Sequence, residues 1–125
     1  MEAISTELAP KAIGPYSQAI RSGNFLFCSG QIALDPVSGR IIAGGIREQT
    51  EQIMKNVSMI LENQKLGFDR IIKTTVFLKN MDDFALFNET YASWLKAPYP
   101  SRSTVEVARL PKDVLVEIEV IAECG

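Results

Sequence analysis

The chain of 125 residues carries 13 lysines and arginines against 15 aspartates and glutamates, and 46% of its residues are hydrophobic. This composition is typical of one globular domain, and the near-balanced charge gives no electrostatic footprint for nucleic acid or an anionic membrane. We therefore expect a single domain over residues 1–125, with neither a nucleic-acid nor a membrane partner. The N-terminus lacks a signal-peptide pattern and no segment has the roughly 20 apolar residues that span a bilayer, so a cytoplasmic location is expected.

The use of histidine and cysteine restricts the chemistry open to this chain. There is no histidine, which excludes Ser-His-Asp and Cys-His catalysis and any histidine-built metal site. Cys28 and Cys124 match no redox or metal-binding spacing, and we interpret them as buried free thiols. No metal or other cofactor is expected, so acid–base chemistry has to come from carboxylates, tyrosine, lysine, backbone or water.

The first part of the chain is predicted to contain loops and short strands. An opening loop includes the bend at Gly14-Pro15, and two strands, 17–21 and 24–30, form a hairpin. Proline and glycine in residues 35–39 predict a second turn, which accompanies a short third strand.

Two amphipathic helices are expected in the middle of the chain. The first ends near Gly67, and the second begins at Asp82 or Asp83, which are good N-caps, and ends near Lys96 before Pro98. The aromatic stripe of the second helix favours core packing, with a binding groove as the alternative. The stripes are Ile46, Ile53, Val57, Ile60 and Leu61 in the first helix, and Phe84, Phe87, Tyr91, Trp94 and Leu95 in the second.

Three further strands, 71–79, 101–107 and 114–123, complete an α+β fold with a mixed six-stranded sheet. Because crossovers between parallel strands are right-handed, both helices are expected on one face of the sheet. The other face is either solvated or buried against another subunit, and the pattern leaves both open. In the last strand the residues expected to face away from the helices are Leu115, Glu117, Glu119, Ile121 and Glu123.

Residues 99–119 resemble the signature of the RidA (reactive intermediate deaminase) family, also called the YjgF type. In that signature an arginine precedes a hydrophobic strand, a Leu-Pro turn and an aliphatic-Glu-aliphatic step. Here these are Arg102, Leu110-Pro111 and Val116-Glu117-Ile118. The segments that also agree with the family, in its order along the chain, are 12–18, 29–32 and 73–77.

The resemblance implies a chorismate-mutase-like fold, assembled as a homotrimer around a central barrel with one site in each cleft between subunits. It implies hydrolytic deamination of 2-imino acids, such as 2-iminobutanoate and 2-iminopropanoate, to 2-keto acids and ammonia. One alternative is a regulatory module that binds keto acids in the same clefts. Another is a ribonuclease or translation inhibitor, which the acidic charge balance and the absence of aromatic–basic interleaving disfavour.

Two residues carry the implied chemistry. By resemblance, Arg102 holds the substrate carboxylate, which the planar guanidinium fits with two parallel hydrogen bonds; the alternative is a surface salt bridge. Glu117 occupies the acidic position of the family and would hold or activate water, and the alternative is a solvated glutamate.

Five further residues are expected near the substrate, each with a structural alternative. Tyr16 would close the pocket or anchor its loop, while Ser29 and Gly30 would contact the ligand closely or form a strand bulge. Asn88 matches a position near the cleft of the family, or is a helix-surface amide. Thr104 stands where some bacterial members carry cysteine, so the backbone rather than a thiol is expected to matter there.

Overall fold

The computed structural model describes residues 1–125, which form a mixed six-stranded sheet with two helices. The helices are α1 (Ile46–Asn63) and α2 (Phe84–Ala92). The strands are β1 (Glu2–Ile4), β2 (Ala19–Ser22), β3 (Phe25–Gln31), β4 (Ile71–Leu78), β5 (Ser101–Glu106) and β6 (Val116–Glu123). Short 3₁₀ turns cover Phe68–Arg70, Met81–Asp83 and Pro111–Asp113.

The spatial order of the strands is β1-β2-β3-β6-β4-β5, with the last strand of the chain in the interior of the sheet. β6 pairs antiparallel with both β3 and β4, whereas β4 and β5 are parallel. α1 therefore connects β3 to β4 across β6, and α2 connects β4 to its neighbour β5. The two helices contact each other and pack on the same face, which confirms the predicted mixed sheet with both helices on one face.

The core lies between this face and the helices. All five stripe residues of α1 are buried, as are Phe87, Tyr91 and Leu95 from the second stripe. Phe84 is at the surface and Trp94 is half-buried, where it packs edge-on against Phe68. Alternation holds along β6, whose buried residues are Val116, Ile118, Val120 and Ala122. Both periodicity predictions are thus confirmed, apart from the outer members of the second stripe.

The N-terminal strand was not predicted. β1 lies in the segment predicted to be a loop, and it pairs antiparallel with β2 while only Ile4 of its three residues is buried. Three residues are too few to show an alternation in sequence. The short strand predicted beside the turn at 35–39 is wrong, because that region forms only an isolated bridge between Leu34 and Ile41.

The first helix ends earlier than predicted, at Asn63 rather than Gly67. Lys65 adopts a left-handed φ of 59°, and the N–H of Leu66 donates to the carbonyl of Leu61 at 2.9 Å. This is a Schellman ending formed without the usual glycine. The predicted stop at Gly67 is wrong because a lysine accepts the conformation that glycine usually supplies.

The second helix begins where predicted, with Asp83 at the N-cap position, but it ends at Ala92 rather than near Lys96. The 3₁₀ turn before it is capped by Asn80, whose side chain accepts the N–H of Asp82 at 2.8 Å. Asp82 and Asp83 therefore lie within this turn and do not cap the helix with their side chains. Neither helix is long and apolar enough to cross a bilayer.

Candidate functional site

The predicted site residues fall into two groups within one chain. A cleft of about 650 Å³, here called the Glu117 cleft, is lined by Tyr16, Ser29, Gly30 and Glu117. A second hollow of about 350 Å³, here called the Arg102 pocket, is lined by Asn88, Tyr91, Ala92, Tyr99, Pro100 and Arg102. Thr104 follows Arg102 by two residues on the same strand.

The two groups lie on opposite faces of the sheet. Arg102 on β5 pairs with Thr74 on β4, whose hydroxyl shares a 2.7 Å hydrogen bond with Tyr91 of α2, so Arg102 faces the helices. Glu117 on β6 pairs with Phe77 and alternates with the buried residues of its strand, so it faces away from them. A small ligand held by Arg102 does not reach Glu117 of the same chain.

A bulge in β3 makes room for the Glu117 side chain. The register between β3 and β6 shifts at Ser29 and Gly30, so two residues of β3 oppose Glu119 alone. A Cβ atom at Gly30 would overlap Oε2 of Glu117 and lie 2.9 Å from its Cδ. Glycine is needed here for space, and the bulge given as the structural alternative is present.

The Glu117 carboxyl group has an increased affinity for protons. Burial raises its pKa above the ordinary value of 4.5, and the charge of Glu119 raises the pKa further. Both side chains line the cleft, together with Lys11 and Lys112, and no third metal-ligating side chain joins them. A carboxylate with a raised pKa in a cleft is suited to take a proton from water.

Tyr16 both anchors its loop and lines the cleft. Its hydroxyl accepts the N–H of Ile13 at 3.3 Å, and its own N–H donates to the carbonyl of Gly14 at 2.9 Å. Gly14 has a φ of 124°, which side-chain-bearing residues rarely adopt. The half-exposed tyrosine ring is therefore placed at the cleft by a local turn.

Ser29 uses both of its donors within the chain. Its hydroxyl donates to the carbonyl of Ser17 at 2.6 Å, and its N–H donates to the carbonyl of Gln18 at 2.9 Å. These bonds join the bulge of β3 to the segment before β2. In this structure Ser29 shapes the cleft wall.

The Arg102 guanidinium lies against three aromatic rings. Its carbon lies 5.6 Å from the ring centre of Phe84, 5.9 Å from that of Phe87 and 5.1 Å from that of Tyr91. Nη1 donates to Oδ1 of Asn88 at 2.8 Å. Cation–π contacts and one amide bond thus fix the plane of a guanidinium whose other donors have no partner in the chain.

No acidic side chain pairs with Arg102. The two salt bridges of the structure join Arg47 to Glu89 at 3.9 Å and Arg109 to Asp113 at 2.8 Å. The surface salt bridge considered for Arg102 is therefore not formed within the chain. A half-buried arginine without a carboxylate is available to an anionic ligand.

Thr104 has a buried hydroxyl without a hydrogen-bond partner. It lies on β5, pairs with Val76, and shares the strand face of Arg102. A buried unpaired hydroxyl costs about 1–3 kcal/mol, and Thr50 carries the other buried hydroxyl without a partner.

The sequence interpretation missed several residues that line the two hollows. Tyr91 was interpreted chiefly as a core residue and was not singled out as a site residue, yet its buried ring also supports Arg102, and burial raises the pKa of its hydroxyl. Gln18, Lys11 and Lys112 line the Glu117 cleft without having been predicted there. Lys112 lies in the turn after Leu110-Pro111, so that motif was the available signal.

Comparison with known proteins identifies the family. A family profile described as Endoribonuclease L-PSP matches residues 6–124. The chain belongs to this family, the RidA family. A RutC family protein of Pyrococcus horikoshii is 55% identical over 121 residues, which cover 97% of this chain and 96% of that protein.

Two other members of the RidA family carry more specific descriptions. The mouse protein named 2-iminobutanoate/2-iminopropanoate deaminase is 44% identical over 122 residues, covering 98% of this chain and 90% of its own. The crystal structure of E. coli TdcF with bound serine is 44% identical, covers 100% of both chains and superimposes with a TM-score of 0.94. The resemblance seen in the sequence is confirmed at the level of family and chain fold.

Proposed function

We propose that this RidA family protein hydrolyses 2-imino acids to 2-keto acids and ammonia in clefts between the subunits of a homotrimer. The observation that carries the proposal is the Arg102 guanidinium, which is oriented by Asn88 and aromatic rings but has no acidic partner. The planar guanidinium can bind a substrate carboxylate through two parallel hydrogen bonds. The name of the mouse relative indicates the imino group as the reacting part of the substrate.

The assembly follows from the separation of Arg102 and Glu117 on opposite faces of the sheet. If both act on one substrate, the Arg102 pocket of one subunit has to meet the Glu117 cleft of another. The face away from the helices supports this contact, since Phe25, Phe27 and Val105 are 41%, 45% and 44% exposed there. Apolar side chains grouped on one sheet face favour burial against another copy of the chain. A trimer closed around a central barrel is the arrangement that we propose.

In this site Arg102 fixes the substrate carboxylate and thereby orients C2 toward Glu117. Asn88 holds the guanidinium in its plane, and Thr104 contributes through its backbone beside Arg102 on the same strand. The gain in rate comes first from orientation, because the reacting atoms no longer have to meet by diffusion.

Glu117 then supplies the acid–base chemistry. The carboxylate takes a proton from a water molecule whose oxygen bonds to C2, and it passes that proton to the nitrogen, which receives the π electrons of the C=N bond. Glu117, again a carboxylate, takes the hydroxyl proton of the resulting aminol as the carbonyl re-forms. It delivers this proton to the nitrogen as the C–N bond breaks, so the products are the keto acid and ammonia. A raised pKa suits a group that both accepts and returns a proton.

The proposal is tested by generating 2-iminobutanoate in situ with a dehydratase and following its decay with and without the protein. The expected result is faster decay with wild type and loss of the acceleration with Arg102→Ala. Binding of 2-oxobutanoate without any acceleration of imine loss would instead indicate the regulatory module.

A further inference from the structure

We propose that Gln18 is the positioning residue of the Glu117 cleft. Its buried side-chain amide holds segment 6–16, which forms one wall of the cleft, against the strands that carry Gly30 and Glu117. The effect on catalysis rests on the proposed function, whereas the anchoring of the segment does not.

The Gln18 side chain makes four hydrogen bonds to the backbone of one segment, the largest set made by any side chain in the structure. Oε1 accepts the N–H of Thr6 at 2.7 Å. Nε2 donates to the carbonyls of Thr6 at 3.0 Å, Ala9 at 3.3 Å and Pro10 at 2.7 Å. The side chain is only 4% exposed, so these bonds are shielded from water.

The backbone of Gln18 connects the same residue to the other wall. Its carbonyl accepts the N–H of Ser29, and the preceding carbonyl of Ser17 accepts the Ser29 hydroxyl. Ser29 adjoins Gly30, against which the Glu117 carboxylate lies. Gln18 thus sets the position of the segment relative to the proposed catalytic carboxylate.

Apart from the Gln18 hydrogen bonds, segment 6–16 makes few contacts that fix it to the rest of the chain. It contains no helix or strand, and only Ala9 enters the core. Lys11, Ile13 and Tyr16 line the cleft, and Ile13 is 85% exposed. Segments with few buried contacts open locally at low free-energy cost, so loss of the Gln18 bonds should release this wall without unfolding the protein.

Two other buried amides contact neighbouring parts of the molecule by single bonds. Asn56 donates to the carbonyl of Leu34, which also lines the cleft, and Gln49 accepts the N–H of Leu115. Gln18 differs because all four of its side-chain bonds go to a segment without regular structure. This concentration distinguishes an anchor of one wall from a residue that stabilises the whole fold.

The test compares Gln18→Met with Val57→Ala. Methionine keeps the length of the side chain but makes none of these hydrogen bonds, while Val57→Ala leaves a cavity in α1 away from the cleft. Hydrogen exchange of segment 6–16 is measured against that of α1, together with imine turnover. For Gln18→Met we expect exchange of the segment to rise by about tenfold or more with α1 still protected. KM should rise by roughly 10- to 100-fold with a smaller change in kcat, since only the closed fraction binds substrate.

A second variant, Gln18→Glu, directly tests the contribution of the N–H donors of the Gln18 side chain. As a carboxylate it would face three carbonyl oxygens, whereas the protonated acid can donate to one of them. We expect its kcat/KM, relative to wild type, to rise as the pH falls from about 8 to about 5.5, because burial near carbonyls raises the pKa of such an acid. The charged and titratable groups that line the two hollows beside this position are present in both proteins: Glu7, Lys11, Tyr16, Lys112, Glu117 and Glu119.

Each outcome has a defined meaning. Unchanged exchange of segment 6–16 in Gln18→Met would overturn the anchoring, and raised exchange with wild-type kcat/KM would overturn the positioning. If Gln18→Met raised hydrogen exchange throughout the chain, as we expect for Val57→Ala, the result would show that Gln18 is an ordinary core residue. Wild-type protein without imine turnover would refute the proposed function alone, because the exchange measurement still reports on the anchor. If Gln18→Met does not fold, the pH-dependent ratio of Gln18→Glu decides.

Discussion

Arg102 is oriented by its own chain but is left without an acidic partner there. Arg102→Ala removes the proposed partner of the substrate carboxylate, so kcat/KM should fall by roughly 30- to 4,000-fold, corresponding to about 2–5 kcal/mol. Arg102→Lys should recover only part of this loss, because an ammonium keeps the charge but does not form the two parallel hydrogen bonds of a planar guanidinium. Steady-state kinetics on 2-iminobutanoate measure both variants. A folded Arg102→Ala protein with full activity would refute the site and the mechanism.

Glu117 combines a raised pKa with a position in the cleft. Glu117→Gln should keep the fold and lower turnover by roughly 10²–10⁴-fold, the usual range for a lost general base. In wild type, kcat/KM should fall as the pH drops through the raised pKa of Glu117, since only the carboxylate accepts the proton. A pH profile of kcat/KM measures this acid limb. Wild-type rates in Glu117→Gln would assign the residue a structural function.

The same pKa makes stability depend on pH. The folded chain binds the Glu117 proton more tightly than the unfolded chain, so stability falls as the pH rises from the ordinary value of 4.5 through the raised pKa. Glu117→Gln removes this dependence. We therefore expect its Tm to exceed that of wild type at about pH 7 and the difference to vanish below about pH 4. Thermal melts against pH, with Glu62→Gln on the surface of α1 as control, test this; a lower Tm of Glu117→Gln at neutral pH would contradict it.

The long elements could be predicted from the sequence because their periodicity extends over many residues. The α1 stripe and the alternation of β6 each repeat several times, and the structure buries those residues. β1 and the end of α1 could not be predicted in the same way. The first has three residues, and the second depends on Lys65 adopting a conformation that its residue type does not favour.

The bulge in β3 was predicted only as an alternative to ligand contact, whereas the structure links bulge and site through Gly30. Gly30→Ala would push the Glu117 carboxylate from its position, so we expect kcat/KM to fall by about tenfold or more. In a Glu117→Gln background the same change should have little further effect, because the effects of substitutions at neighbouring residues are not additive. Gly45→Ala is the matched control, since its Cβ would meet Glu48 only at an ordinary 3.8 Å. If Gly30→Ala lowered kcat/KM equally in the wild-type and Glu117→Gln backgrounds, Gly30 would not act through the position of Glu117.

The sequence could not place Arg102 and Glu117 relative to each other. Both were assigned by resemblance, and alternation was predicted only for the strand of Glu117, whereas the pairing of β5 with β4 and of β4 with β6 decides which face each side chain takes. Sheet order depends on contacts between distant parts of the chain. The structure puts the two residues on opposite faces, and this separation makes the proposed site depend on the proposed assembly.

Mixed assemblies test that arrangement directly. Arg102→Ala subunits retain Glu117, and Glu117→Gln subunits retain Arg102, so a cleft between two unlike subunits can contain both intact residues. If subunits combine at random in equal amounts, about one quarter of the clefts should be intact, and two nearly inactive variants should together regain about one quarter of wild-type activity. Denaturing, mixing and refolding the variants allows exchange, and turnover of 2-iminobutanoate is the measurement. The control replaces the first variant with the double variant Arg102→Ala/Glu117→Gln, which forms no intact cleft. Mixtures as inactive as this control would show that Arg102 and Glu117 of different subunits do not share a substrate.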